Sequence, residues 1–234
     1  SLPYWDLHPK MGWRPMAVYA RMPLENLRVS DLRLVDDRVR RRMTTSVRGK
    51  LAALTGTSTV ATGDLMGFFA LRLGRIGGLF EGGHTFGGDR FFHHSLHLQN
   101  IGLLGEMVDF SESKFVPSKR ALADEYTRSV YGKTSHGWPA YLKGQGRERP
   151  VLEFVLSHYF QSMAMAHHGE GIPHLPTIVR LFDQGFREGL AGQRADRPKE
   201  LLATARRALR APSPRAEAAR TSPARPPVAP KHRR

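Results

Sequence analysis

Residues 91–112 read FFHHSLHLQNIGLLGEMVDFSE and hold the densest chemistry in the chain. Ile101-Gly102-Leu103-Leu104 and Met107-Val108 are two short apolar runs around Gly105-Glu106, which predicts a small β-hairpin. A hairpin returns the chain, so Asn100 and Asp109 can face each other at its open end. An amide oxygen and a carboxylate placed together form an oxygen-only pair suited to Mg²⁺ or Mn²⁺ bridging phosphates. The bland alternative is a hairpin whose Asn and Asp make turn hydrogen bonds and nothing more. His84, His93, His94 and His97 offer a different chemistry. On a helix, His93 and His97 would lie one turn apart and could chelate zinc or iron with Asp109. The glycines before them and the β-like residues after them favour a loop.

The run His93-His94-Ser95-Leu96-His97-Leu98-Gln99-Asn100 resembles the catalytic loop of protein-kinase-like enzymes, H-R-D-L-x-x-x-N, at matching length. Asp109-Phe110-Ser111 is similar to their D-F-G metal motif. The short step from Asn100 through Gly105 to Asp109 is most similar to the selenoprotein-O-type (SelO) protein adenylyltransferases. The resemblance covers about residues 91–112 and rests on His93, Asn100, Gly105 and Asp109. It implies the helical large lobe of a protein-kinase-like fold and a transferase using ATP with Mg²⁺ or Mn²⁺. Asn100 and Asp109 would hold the metal, His93 would belong to the nucleotide site, and a protein or small-molecule hydroxyl would accept AMP or phosphate.

Three positions depart from the pattern. Ser95 stands where kinases carry the catalytic Asp, Gln99 where the SelO-type enzymes carry a base beside the Asn, and Ser111 replaces the Gly of D-F-G. General-base assistance is typically worth about 10²–10⁴-fold, whereas phosphoryl transfer draws most of its acceleration from positioning and metal electrostatics. Two readings stay open: a slow transferase with His97 or His94 as a substitute base and His97 or Ser95 orienting the acceptor, and a degenerate nucleotide binder. Upstream, the only lysines are Lys10 and Lys50, so a small lobe with its phosphate-binding Lys is missing or remodelled. Gly82-Gly83-His84-Thr85-Phe86-Gly87-Gly88 could cradle phosphate or serve as a connector. Tyr141–Arg147 and Gly171–Pro173 echo other SelO-type elements, but in the wrong chain order.

Helices must position this segment. Leu32, Val35, Val39, Met43, Val47, Leu51 and Leu54 predict one helix with an apolar stripe and a basic outer face of Arg38, Arg40, Arg41 and Arg42. Leu65, Phe69, Leu73, Ile76 and Phe80 predict a second, capped by Asp64. Its Gly67, Gly74, Gly77 and Gly78 either shorten it or permit close packing. Ser118 is expected to cap a helix through Leu122, Tyr126 and Val130, and 132–150 to be a loop. Residues 151–168 predict a helix central to the core, and Leu175, Val179, Phe182, Phe186 and Leu190 an amphipathic one. His136, His167 and His168 read as surface or loop residues. The expected fold is mainly α (α+β), with one β element around Gly105. Its parts are an extended segment 1–23, a helical domain 24–192, a short helix within 193–210, and a tail 211–234.

Composition narrows the classes. The 234 residues contain no cysteine, which excludes disulfide scaffolds, thiolate nucleophiles and Cys-ligated metals. No G-x-S-x-G elbow occurs, and no apolar run is long enough to cross a membrane. Ser1-Leu2-Pro3-Tyr4-Trp5 lacks signal-peptide character, so the expected location is cytoplasmic, and the absence of an initial Met suggests a fragment or a processed chain. Of the net charge of +15, eleven Lys or Arg and two Glu from Arg197 onward contribute +9. Residues 211–234 hold six of the sixteen prolines and little that is apolar, so the tail is expected to be disordered. A second reading follows, in which the protein is a non-enzymatic interaction protein whose tail grips nucleic acid or another polyanion weakly. A merely solubilising tail is the alternative.

Overall fold

In the computed structural model the described residues are 27–82, 98–107 and 148–211, together with the backbone of four short strands. Two antiparallel pairs contain those strands: β1 (Trp5–His8) with β2 (Gly12–Pro15), and β3 (Arg90–Phe92) with β4 (Lys114–Val116). The helices are α1 (Asp31–Leu34), α2 (Asp37–Thr55), α3 (Thr62–Gly82), α4 (Glu148–Ala166), α5 (Leu175–Leu190) and α6 (Pro198–Arg210). The described part of the protein is mainly helical. The sequence pattern predicted a single β element, and the two strand pairs are additional to it. The helix expected after Ser118, the loop 132–150 and the tail from 212 lie outside the described residues.

α3 is the hub, packed against α2, α4, α5 and α6. Its apolar residues leave almost no exposed face: Leu65, Met66, Phe68, Phe69, Ala70, Leu71 and Leu73 are all buried. Helix α4 adds Leu152, Val155, Leu156, Tyr159 and Met163 to the same core, and Tyr159 stacks on Phe69 with ring centroids 3.8 Å apart. The short helix expected within 193–210 is α6, and it buries Leu201, Leu202 and Ala205 in that core as well.

The glycines of α3 settle the alternative left open by the sequence. The helix runs through all of them, and they permit close packing on α5. A Cβ at Gly74 would lie 2.1 Å from the Phe182 carbonyl oxygen, and one at Gly78 2.1 Å from that of Phe186. Reciprocally, Gly185 and Gly189 face the Leu71 and Arg75 carbonyls at 2.1 Å. The register rises together on both helices, so they run parallel, with a small-xxx-small pair on each. Bare glycine at all four positions lets backbone meet backbone, where Cα–H···O contacts add about 0.5–1 kcal/mol each.

Other expectations change on contact with the structure. The first predicted helix is broken at Val35–Asp36. Asp36 takes extended φ/ψ and accepts a hydrogen bond from the Val39 N–H at 2.8 Å, which starts α2 afresh. Arg40 does not belong to an outer face. It is buried, and its Nε donates to the Leu32 carbonyl at 2.7 Å and its Nη2 to that of Val35 at 3.0 Å, locking α1 onto α2. Asp64 is not the cap of α3. It lies inside the first turn and accepts from Ala61 N–H at 3.2 Å, with Arg206 on its other side. His167 is buried against Glu170, 2.7 Å from its carboxylate, and is not a surface residue.

Candidate functional site

The segment of interest begins where α3 ends. β3 precedes it and β4 follows it, registered Phe92↔Lys114, so an antiparallel pair closes the base of residues 93–113. Inside that outer pairing lies a second one, Ile101↔Met107. The predicted hairpin around Gly105 is therefore present. Gly105 has φ +77°, the left-handed region that a side-chain-bearing residue adopts only under strain, and its N–H donates to the Gly102 carbonyl at 2.9 Å. The Gly102 N–H closes the turn on the Glu106 carbonyl at 2.8 Å.

A third strand-like segment supports the turn from outside. Val29 N–H donates to Ile101 at 2.9 Å and Ser30 N–H to Leu98 at 3.2 Å, while Arg28 bridges Gly102 antiparallel. Residues 28–30 and 98–102 are about seventy positions apart in sequence, so nothing local announces this pairing.

Of the residues given a catalytic, nucleotide or metal role, His93, Ser95, His97, Gln99, Asn100 and Asp109, two are described. Asn100 ends a 3₁₀ turn, Leu98–Asn100, and is buried at 6% exposure, while Gln99 in the same turn is exposed. The 3₁₀ turn thus aims the two neighbours differently, with Asn100 inward at the open end of the hairpin. His93, Ser95, His97 and Asp109 lie outside the described residues, as do His84, His94, His136, Ser111, the glycine-rich stretch from 83 to 88, and Tyr141–Arg147. An amide oxygen at Asn100 and a carboxylate at Asp109 are hard donors that fit Mg²⁺ or Mn²⁺ chemically. Buried placement of Asn100 agrees with a ligating or a turn-bonding role. Among the described residues no group of three or more His, Asp or Glu is arranged to hold a metal.

The structure adds residues that the pattern did not single out. Arg72 of α3 reaches the turn, its Nη1 donating to the Leu104 carbonyl at 3.0 Å and lying 3.8 Å from Glu106 Oε1. Glu106 folds back so that its Oε2 accepts from Leu104 N–H at 3.1 Å, in space that a Cβ at Gly102 would occupy at 2.4 Å. Burial pulls the Arg72 guanidinium below its usual range, and the charges of Glu106 and Asp196 act against that. Tyr159 completes the group from α4. Its phenol is pushed up, first by burial and then by the Glu106 charge. Arg72 Nε, Glu106 Oε1 and Tyr159 Oη are buried with no hydrogen-bond partner among the described residues. One sequence signal could have found this cluster: Arg72 and Arg75 stand in the stretch 65–80 of α3, which is otherwise apolar or glycine.

Arg75 solves its burial differently. Its Nε donates to Glu188 at 2.9 Å and its Nη1 to the Arg194 carbonyl at 2.9 Å, with Glu200 at 3.5 Å, so it ties α3 to α5 and α6. No helix among the described residues is long and apolar enough to cross a membrane. Compared with family models, with curated proteins and with solved structures, the chain finds no match.

Proposed function

We propose that residues 93–109 form a nucleotide-phosphate site of protein-kinase-like type, nearest in pattern to the SelO-type adenylyltransferases. The observation that carries this reading is a buried Asn100 at the open end of a hairpin registered Ile101↔Met107, nested inside the β3–β4 pair. Nested pairings bring both ends of one segment together, as a site assembled from His93, Asn100 and Asp109 requires. The activity proposed is nucleotidyl or phosphoryl transfer from ATP to a protein or small-molecule hydroxyl. Asn100 and Asp109 would hold the divalent ion, which supplies charge neutralisation on the phosphates. His97 or Ser95 would orient the acceptor, with Gln99 beside them. The hydroxyl oxygen bonds to phosphorus and gives up its proton. Pyrophosphate leaves if the α-phosphorus is attacked, ADP if the γ-phosphorus is attacked.

Without a carboxylate base at position 95 or 99, turnover should be slow, and a binder without turnover is the degenerate form of the same site. The test is a thermal-shift titration with ATP plus Mg²⁺ on the wild type, Asp109→Ala and Asn100→Ala. A wild-type shift lost in both variants supports the site. A chain that shifts with no nucleotide and no divalent ion ends both the enzyme and the binder readings.

A further inference from the structure

A groove of about 490 Å³ runs between the end of α2 and the outer face of α6. Thr55 and Thr57 form one wall, their hydroxyl oxygens 3.0 Å apart. Lys199, Leu202, Arg207 and Arg210 lie along the other, and among the described residues no acidic one lines it.

The cations differ in how they are used. Arg206 is committed to the fold, donating to Asp64 at 2.9 Å and to the Thr59 carbonyl at 2.7 Å. Lys199, Arg207 and Arg210 are exposed, and their side chains have no hydrogen bond or ion pair among the described residues. Glu200, the acid adjacent to Lys199, is turned toward Arg75 and Arg197. Lys199 and Arg210 are eleven residues apart on one helix, about 16 Å along its axis at about 1.5 Å per residue. Gly56 and Thr57 N–H groups satisfy the Ala53 and Ala52 carbonyls near the end of α2, and Thr55 Oγ1 donates to the Leu51 carbonyl at 2.7 Å, so the Thr55 hydroxyl serves the helix end.

The fold also discriminates among polyanions. A membrane-surface helix needs a free apolar face, but Leu201, Leu202 and Ala205 of α6 are spent on the core. A row of exposed cations with no ion-pair partner among the described residues is the arrangement that contacts phosphate oxygens of nucleic acid. In sequence the row runs directly on from Arg210 into residues 211–234, with six further Lys or Arg and one Glu.

We propose that the α2–α6 groove is a phosphate-backbone site for nucleic acid, with Lys199, Arg207 and Arg210 as its ligand-contacting cations. It does not rest on the nucleotide reading, and either can fail alone. Recognition would be blind to sequence and steep in salt, since each phosphate neutralised contributes roughly 0.9 to the slope of log affinity against log salt on duplex DNA.

The experiment uses the full chain and a fluorescein-labelled 20-base-pair duplex of mixed sequence, titrated by anisotropy from 50 to 200 mM salt. Lys199→Gln/Arg207→Gln/Arg210→Gln is compared with Arg215→Gln/Arg220→Gln/Arg225→Gln, which removes the same charge from the tail. The groove variant should lose about 2.7 from the salt slope (three phosphates at roughly 0.9 each) and bind at least tenfold more weakly at 50 mM salt. The tail variant should lose less on both measures. Equal losses would mean that net charge alone is at work and would overturn the site. So would unchanged binding by the groove variant, no duplex binding, or groove-dependent binding to phosphatidylserine vesicles in place of DNA. If the triple groove variant melts early, Arg210→Gln against Arg215→Gln carries the same comparison at an exposed helix end.

Discussion

Where α3 runs beside α5, contact is backbone on backbone through Gly74, Gly78, Gly185 and Gly189. Where α3 passes the turn at 98–107, contact is made by two charged side chains, Arg72 and Glu106, and by hydrogen bonds from residues 29 and 30. The first region is held by shape. At those four glycines no side chain can move aside, although the buried Arg75–Glu188 pair spans the same two helices. The second is held by directional bonds, and it leaves three buried polar atoms without partners among the described residues. Shape complementarity makes a scaffold, whereas buried, incompletely paired charge is costly unless something else is obtained from it. By that contrast the crossing is the rigid part of the described fold and the turn the electrostatically costly one.

The sharpest way to break the comparison is to fill the crossing. Gly74→Ala puts a methyl 2.1 Å from a carbonyl that no rotamer change can move. We expect about 4 kcal/mol of destabilisation, above the usual ~1–3 kcal/mol of overpacking because two helices must separate. The melting temperature should fall by roughly 10 °C. Gly77→Ala is the control. There the nearest atom is the Leu152 Cδ1 methyl at 2.5 Å, the end of a side chain that can turn away, so the loss should be about 1 kcal/mol. Equal losses at both positions, read by thermal or chemical denaturation, would remove the shape argument.

The charged region makes a different prediction. Glu106→Ala leaves the Arg72 guanidinium buried with only the Leu104 carbonyl for a partner, at a cost of about 3 kcal/mol. Arg72→Met combined with Glu106→Leu removes both charges and should recover most of that loss. Denaturation of the single and double variants checks this. A double variant as unstable as Glu106→Ala would show that the pair contributes packing and not charge.

How much of this was legible in the sequence follows the same division. Apolar spacing located α5 and most of α2, because a half-buried helix repeats its apolar residues every three or four positions, and α4 was legible from its nearly all-round apolar sequence. The Gly105 turn was legible because two apolar runs around a glycine have few other uses. Periodicity records spacing and not depth, however. Arg40, Arg75 and His167 were misplaced or passed over because a long polar side chain can be buried once a carbonyl or carboxylate from another element meets it. Glycines 74 and 78 read equally as helix weakeners or as a close crossing until α5 supplied the carbonyls. The pairing of 28–30 with 98–102, and of β3 with β4, joins distant residues and leaves no local signal.

A smaller effect tests α2, where a glycine does no packing. A Cβ at Gly49 would meet nothing within 4 Å. Gly49→Ala should therefore stabilise by about 0.5–1 kcal/mol through helix propensity alone. The melting temperature should rise by roughly 2 °C. A fall would mean that not all glycines outside the crossing are dispensable, and the contrast with Gly74 would lose its meaning.

The smallest effect lies at the N-terminal end of the crossing, where shape gives way to charge. There Glu170 accepts from Thr62 at 3.4 Å and lies 2.7 Å from His167 Nδ1, just before the Gly171–Pro173 stretch that packs on Gly63. His167 holds the Glu170 carboxyl below its ordinary value of 4.5, with burial acting the other way and Thr62 and Arg41 assisting. A carboxylate whose folded pKa is depressed stabilises above its unfolded pKa and loses that contribution as pH falls through the folded value. Glu170 is 45% exposed, so solvent screening limits the contribution to a few tenths of a kcal/mol. Glu170→Gln should therefore melt about 1 °C below the wild type at pH 7, and the gap should narrow as pH falls below the ordinary carboxyl value of 4.5. Gly74→Ala, which removes no titrating group, should keep its deficit across the same range. A Glu170→Gln gap that does not narrow with acid would assign the residue to packing and extend the shape-held region to the end of α3.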